Sequence, residues 1–102
     1  MNSNRLSNIH PGEILKLDFL EPLQITPYRL SKDLGVAQTR ISEILAGKRS
    51  VTADTALRLS RYFGNSAQFW LNLQAQYDLR QAQEENAEVY SQIPAAPFMP
   101  AT

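Results

Sequence analysis

Between residues 10 and 80 apolar side chains recur at three- and four-residue intervals, and the prolines and glycines that interrupt them suit helix ends better than helix interiors. His10-Pro11-Gly12-Glu13 predicts the start of a first helix, with proline at the first helical position and glutamate in the first turn. Ile14, Leu15, Leu17, Phe19 and Leu20 supply its apolar surface, and Pro22 is expected to stop it, because the residue before a proline is pushed out of the helical region. Thr26-Pro27 repeats the start signal for a second helix. Thr52 caps a fourth, Ala53 to Phe63, which carries Ala56, Leu59, Ser60 and Phe63 on one side. A fifth begins near Asn65 or Ser66 and runs towards Glu88 or Ile93. The pattern predicts an all-α chain of five helices with an extended C-terminal helix.

The segment from Pro27 to Arg49 predicts a helix-turn-helix. Leu30, Leu34, Val36, Ile41 and Ile44 are spaced to face one shared core, and the small Ser31 lets the second of the two helices pass close to the first. Gly35 lies where the chain reverses, a position that calls for a left-handed residue without a β-carbon. Val36-Ala37 is then the turn, Gln38 to Ala46 the second helix, and Gly47 its end. Gln38, Thr39, Arg40, Ser42 and Glu43 lie off the apolar side of that helix and are of types that reach bases or phosphates in a major groove. Lys48 and Arg49 follow at once, placed either to grip flanking phosphates or to form a solvated basic turn, and Arg29 is a further candidate phosphate contact. Arg58 and Arg61 lie off the apolar stripe of the fourth helix and are expected to be solvated.

The fifth helix carries two apolar faces. At 100° per residue Phe69, Trp70, Leu73 and Tyr77 share one arc, and Leu71, Ala75, Leu79 and Ala82 fall opposite. The aromatic arc is expected to close the core over the first and fourth helices. The second arc is expected to meet another subunit, the alternative being that a chain terminus folds back over Leu71 and Leu79. A homodimer also suits helix-turn-helix recognition, since two copies about 34 Å apart read half-sites one DNA turn apart.

Charge sharpens this picture. The net formal charge of the 102 residues is zero, but residues 1–64 hold 9 basic against 6 acidic side chains and residues 65–102 hold 1 against 4. The positive half contains the helix-turn-helix, with enough cations for several phosphate contacts. There is no cysteine, which excludes disulfides, thiolate metal sites and cysteine nucleophiles. The single histidine, His10, reads as a helix cap or packing group. No glycine-rich phosphate loop or paired carboxylates are present, so neither catalytic residues nor a cofactor or metal are expected. No apolar run reaches the roughly 20 residues of a membrane span, which points to the cytoplasm. Residues 1–9 are expected to be a mobile arm, 10–80 the DNA-binding and dimerisation domain, and 81–102 a polar helix extension and proline-rich tail in which Phe98 or Met99 could anchor.

Three stretches, His10-Pro11-Gly12-Glu13-Ile14-Leu15, the helix-turn-helix with Leu45-Ala46-Gly47-Lys48-Arg49, and residues 64–80 (GNSAQFWLNLQAQYDLR), resemble the HigA family of antitoxins. That family lies within the Xre-type, lambda-repressor-like helix-turn-helix group. The resemblance implies a five-helix domain, homodimerisation, binding to an inverted-repeat operator, repression of the protein's own operon, and neutralisation of a HigB-like ribonuclease toxin of RelE-like fold. It also implies that Gln38 and Thr39 open the recognition helix where related repressors read bases, and it leaves Arg40 able to take either a phosphate or a guanine. Pro27 departs from the glutamine frequent in related repressors, which removes an N–H donor from that place. Two other readings remain open: a solitary repressor with no toxin, and a protein-binding inhibitor for which the DNA helices are accessory.

Overall fold

The computed structural model of the protein describes residues 8–97, and every regular element among them is helical. Helix α1 (11–23) is one rod in three consecutive parts, α-helical over Pro11–Ile14, π-helical over Leu15–Leu20 and α-helical again over Glu21–Leu23. Helices α2 (Pro27–Leu34), α3 (Gln38–Leu45), α4 (Ala53–Phe63) and α5 (Ala67–Ser91) follow. The predicted five-helix order therefore holds. The expected start signals hold with it: Thr26, Thr52 and Ser66 each accept a first-turn N–H, from Arg29, Thr55 and Phe69 respectively.

Pro22 does not stop α1, contrary to expectation. A proline inside an α-helix clashes with the carbonyl four residues earlier, and the wider π-helical turns just before it relieve that clash. The Glu21 N–H accordingly reaches back five residues to the Lys16 carbonyl. The helix ends at Gln24, whose φ of 57° is left-handed.

Leu15, Leu20, Leu30, Leu34, Ile41, Ile44, Val51, Ala56, Leu59 and Trp70 form one buried core. Ile41 and Ile44 are fully inaccessible, and burial of side chains of this size stabilises by about 1.5–3 kcal/mol each. Trp70 anchors α5, with its ring 5.0 Å from Phe19 and 6.4 Å from Phe63, and its indole N–H donates to Asn65 Oδ1 at 3.1 Å. The aromatic arc of α5 thus closes over α1 and α4 as expected, although Phe69 stays at its solvent edge and Leu17 of α1 points outwards.

Two glycines decide the geometry. Gly35 ends α2 at φ 73°, and its N–H bonds the Ser31 and Lys32 carbonyls, so the chain reverses tightly into α3. Gly12 has a different task. The first turn of α1 lies directly against the end of α3, where a β-carbon on Gly12 would stand 1.8 Å from the Ile44 carbonyl oxygen. Both atoms' surroundings are backbone, so neither can rotate away. Gly12→Ala is expected to cost at least about 3 kcal/mol, at the upper end of overpacking substitutions. Urea unfolding followed by circular dichroism measures this, and an unchanged midpoint would contradict the packing.

Candidate nucleic-acid interface

The outward face of α3 is polar and supported from behind. Gln38, Thr39 and Ser42 are exposed, Arg40 and Glu43 are half-buried, and Ile41 and Ile44 hold the helix to the core. Ala37 begins α3 without a side-chain cap, so its first-turn N–H groups are left without a side-chain acceptor. Lys48 is exposed and takes part in no ion pair among the described residues.

The remaining charged candidates are held by intramolecular partners. Arg49 forms an ion pair with Glu43 at 2.6 Å, and Arg29 with Asp33 at 2.9 Å, one helical turn on. Asp33 also accepts the Tyr62 hydroxyl at 2.6 Å, and that bond together with Arg29 holds its carboxyl below the usual range. Arg40 turns towards α4, where its Nη1 donates to Asp54 Oδ2 at 2.7 Å and to Thr55 Oγ1 at 3.2 Å. Arg58 binds the same Asp54 oxygen at 3.0 Å and donates Nη1 to the Leu34 carbonyl at 2.7 Å. Arg58 is therefore a tie between the ends of α2 and α4, where the sequence reading expected a solvated cation. Arg40 first, then Arg58, holds the Asp54 carboxyl below its ordinary value.

The loop after α3 is fastened by a residue that sequence reasoning passed over. Gln74 of α5 is buried, its Oε1 accepts the Val51 N–H at 2.8 Å, and its Nε2 donates to Asp78 at 3.0 Å. A glutamine within a buried arc was the available signal, because a buried amide needs partners on both ends. Asp54 gave only its i,i+4 spacing to Arg58; its partnership with Arg40 crosses 14 residues and has no local signature.

His10 is the cap and packing group expected. Its Nδ1 accepts the Gly12 N–H at 2.9 Å, and its ring meets Tyr77 edge-on at 4.9 Å and lies over Gly47. The arc assigned to a second subunit divides. Leu79 is 62% exposed and Ala75 is exposed, but Ala82 is half-buried and Leu71 packs against the chain's own core. Leu71 sits at the flank of the arc rather than at its centre, so it is not part of a free face. Asn8 donates to Gln81 at 2.7 Å, which places the end of the expected arm beside α5. Residues 1–7, the rest of the expected arm, and Phe98 and Met99, the expected anchors of the tail, lie outside the described residues. The C-terminal extension is helical to Ser91, with non-helical angles at Asn86. Among the described residues no helix is long and apolar enough to cross a membrane.

Two short helices crossing over a buried serine, joined at a left-handed glycine and presenting the polar side of the second, define a helix-turn-helix protein. The helix-turn-helix family model matches residues 18–70. Virulence-associated protein I of Dichelobacter nodosus is 47% identical over 91 residues, 89% of this chain and 84% of its own length. Antitoxin HigA-1 of Vibrio cholerae is 37% identical over 79 residues, 78% of this chain and 74% of its own. The structure of the Pseudomonas aeruginosa antitoxin HigA with the higBA promoter superposes with a TM-score of 0.83 at 41% identity, covering 90% of this chain and 99% of that one. The chain belongs to the HigA family of helix-turn-helix proteins.

Burial pushes the His10 imidazole below its ordinary value of 6.5, against smaller opposing effects of Asp78, the Arg49 backbone and Glu13. The unfolded chain therefore takes up the proton first as pH falls. Folding stability is expected to be full above about pH 6.5 and to decline as pH drops below it. Because the chain has one histidine, His10→Asn, which keeps a capping oxygen, should flatten that decline in urea unfolding between pH 7 and 5; an equally steep decline in the variant would contradict it.

Proposed function

We propose that the protein is the antitoxin of a two-component toxin–antitoxin module, which represses its own operon by occupying operator DNA as a homodimer and neutralises a HigB-like ribonuclease. The observation that carries the DNA reading is the exposed polar face of Gln38, Thr39 and Ser42 on a helix whose other side is locked into the core. Its family membership supports the toxin reading, and the Pseudomonas antitoxin that it superposes on was solved with promoter DNA.

In this mechanism α3 enters the major groove, where Gln38 and Thr39 meet base edges first, followed by Arg40 and, one turn beyond it, Glu43, with Ser42 at the margin. Lys48 contacts a flanking phosphate, and so do Arg49 and Arg29, from ion pairs that strong acceptors can share or displace. Ala75, Leu79 and the edge of Ala82 form the contact between copies, which removes the exposed Leu79 from water. Occupancy of an inverted repeat then blocks transcription without any covalent step.

The test is a gel shift on the DNA upstream of the protein's own gene, with and without the co-expressed product of the neighbouring gene. The wild type is expected to bind, to retain the neighbour through purification, and to lose about 1–3 kcal/mol of operator affinity in Gln38→Ala. Binding without a retained partner would replace the antitoxin reading with a solitary repressor. No binding at low salt would overturn both.

A further inference from the structure

The clamp on Arg40 decides what that arginine can do on DNA. Its Nη1 makes both intramolecular bonds, one to Asp54 and one to the buried hydroxyl of Thr55. A guanidinium offers five N–H donors in a rigid fork. With Nη1 occupied, the edge formed by Nε and Nη2 makes no bond among the described residues. The Arg40 side chain remains 30% exposed. Asp54 is itself held, because the same oxygen accepts Arg58 Nε at 3.0 Å, and Arg58 is tied to the Leu34 carbonyl. The orientation of Arg40 is thus set by a chain of bonds running back to the end of α2.

We propose that Asp54 is a positioning residue that makes Arg40 a reader of a base rather than a phosphate contact. This rests on the reading that α3 enters the major groove. The fixed geometry selects a base. A fork fixed in orientation suits the paired acceptors of a guanine edge, which have one geometry, whereas a phosphate can be met by a freely moving arginine from many directions. Hydrogen bonds to base edges carry sequence information. Asp54 contacts nothing on the duplex itself in this arrangement; it acts through Arg40.

The experiment uses the full chain, its upstream operator duplex, a set of single-base-pair variants of that duplex and one unrelated duplex, with binding followed by fluorescence anisotropy over a salt series. Arg40→Ala is expected to abolish preference at one base pair, a loss of roughly 5- to 150-fold in discrimination, with little change in salt slope. Asp54→Ala should lose the same preference at the same base pair. Its salt slope should steepen, by about 0.9 if the freed guanidinium turns to a phosphate. The double variant should discriminate no worse than Arg40→Ala alone, and Asp54→Glu should recover part of the preference. Thermal unfolding by circular dichroism establishes that each variant is folded; if Asp54→Ala is not, Asp54→Ser takes its place. Retained preference in Asp54→Ala, additive losses in the double variant, or uniform weakening of Arg40→Ala on every duplex would overturn the proposal. A wild type that binds operator and unrelated duplex equally would instead remove the reading of α3 on which it rests, whereas operator preference lost only in Gln38→Ala would leave that reading standing and refute the clamp alone.

Discussion

The structure depends on the place where the start of α1 meets the end of α3. Gly12 brings its backbone onto the Ile44 carbonyl with no room for a side chain, and His10 caps the same turn while its ring covers Gly47. A recognition helix of eight residues is too short to hold its own shape in water, since isolated helices below about 12 residues are marginal. Its conformation and its direction must both come from the body it rests on. Gly12 sets the distance of closest approach, and Ile41 and Ile44 supply the apolar adhesion that holds it there.

A second fastening acts on the loop that follows the same helix. The loop after α3 would be free to swing if its backbone groups bonded only water, but Gln74 takes the Val51 N–H from inside the core. Gln74 belongs to α5, the helix that also carries the exposed Leu79. The element assigned to subunit contact is therefore tied, through one buried amide, to the loop that leaves the element assigned to DNA. In a dimer this coupling fixes the separation of two recognition helices as well as the pose of each.

The charge pattern on the face of α3 follows from the same economy. A chain of zero net charge has little non-specific attraction for a polyanion, and three of its candidate cations, Arg29, Arg40 and Arg49, carry carboxylate partners. What remains on the surface is a set of oriented hydrogen-bonding groups with a low background of long-range attraction. That balance favours discrimination over raw affinity.

Much of this was legible before any coordinates. The capping threonines, the left-handed Gly35 and the spacing of Leu30, Leu34, Ile41 and Ile44 are local signals, and each appears where it was expected. What was illegible is tertiary. Pro22 looked like a stop because the π-helical accommodation upstream of it has no sequence signature. Leu71 looked free because helical arcs assign faces in isolation, whereas the core reaches round to its flank. Gly12 read as part of a helix start, and its closeness to Ile44 is a relation across 32 positions that no periodicity reports. Native-state hydrogen exchange at the Val51 amide tests the central claim most directly, because that N–H reports whether the chain leaving the recognition helix is fastened to the core. The account predicts exchange only through global unfolding, with protection equal to the stability of the whole domain. Exchange at the rate of an exposed loop amide would show that Gln74 does not fasten the loop that follows the recognition helix.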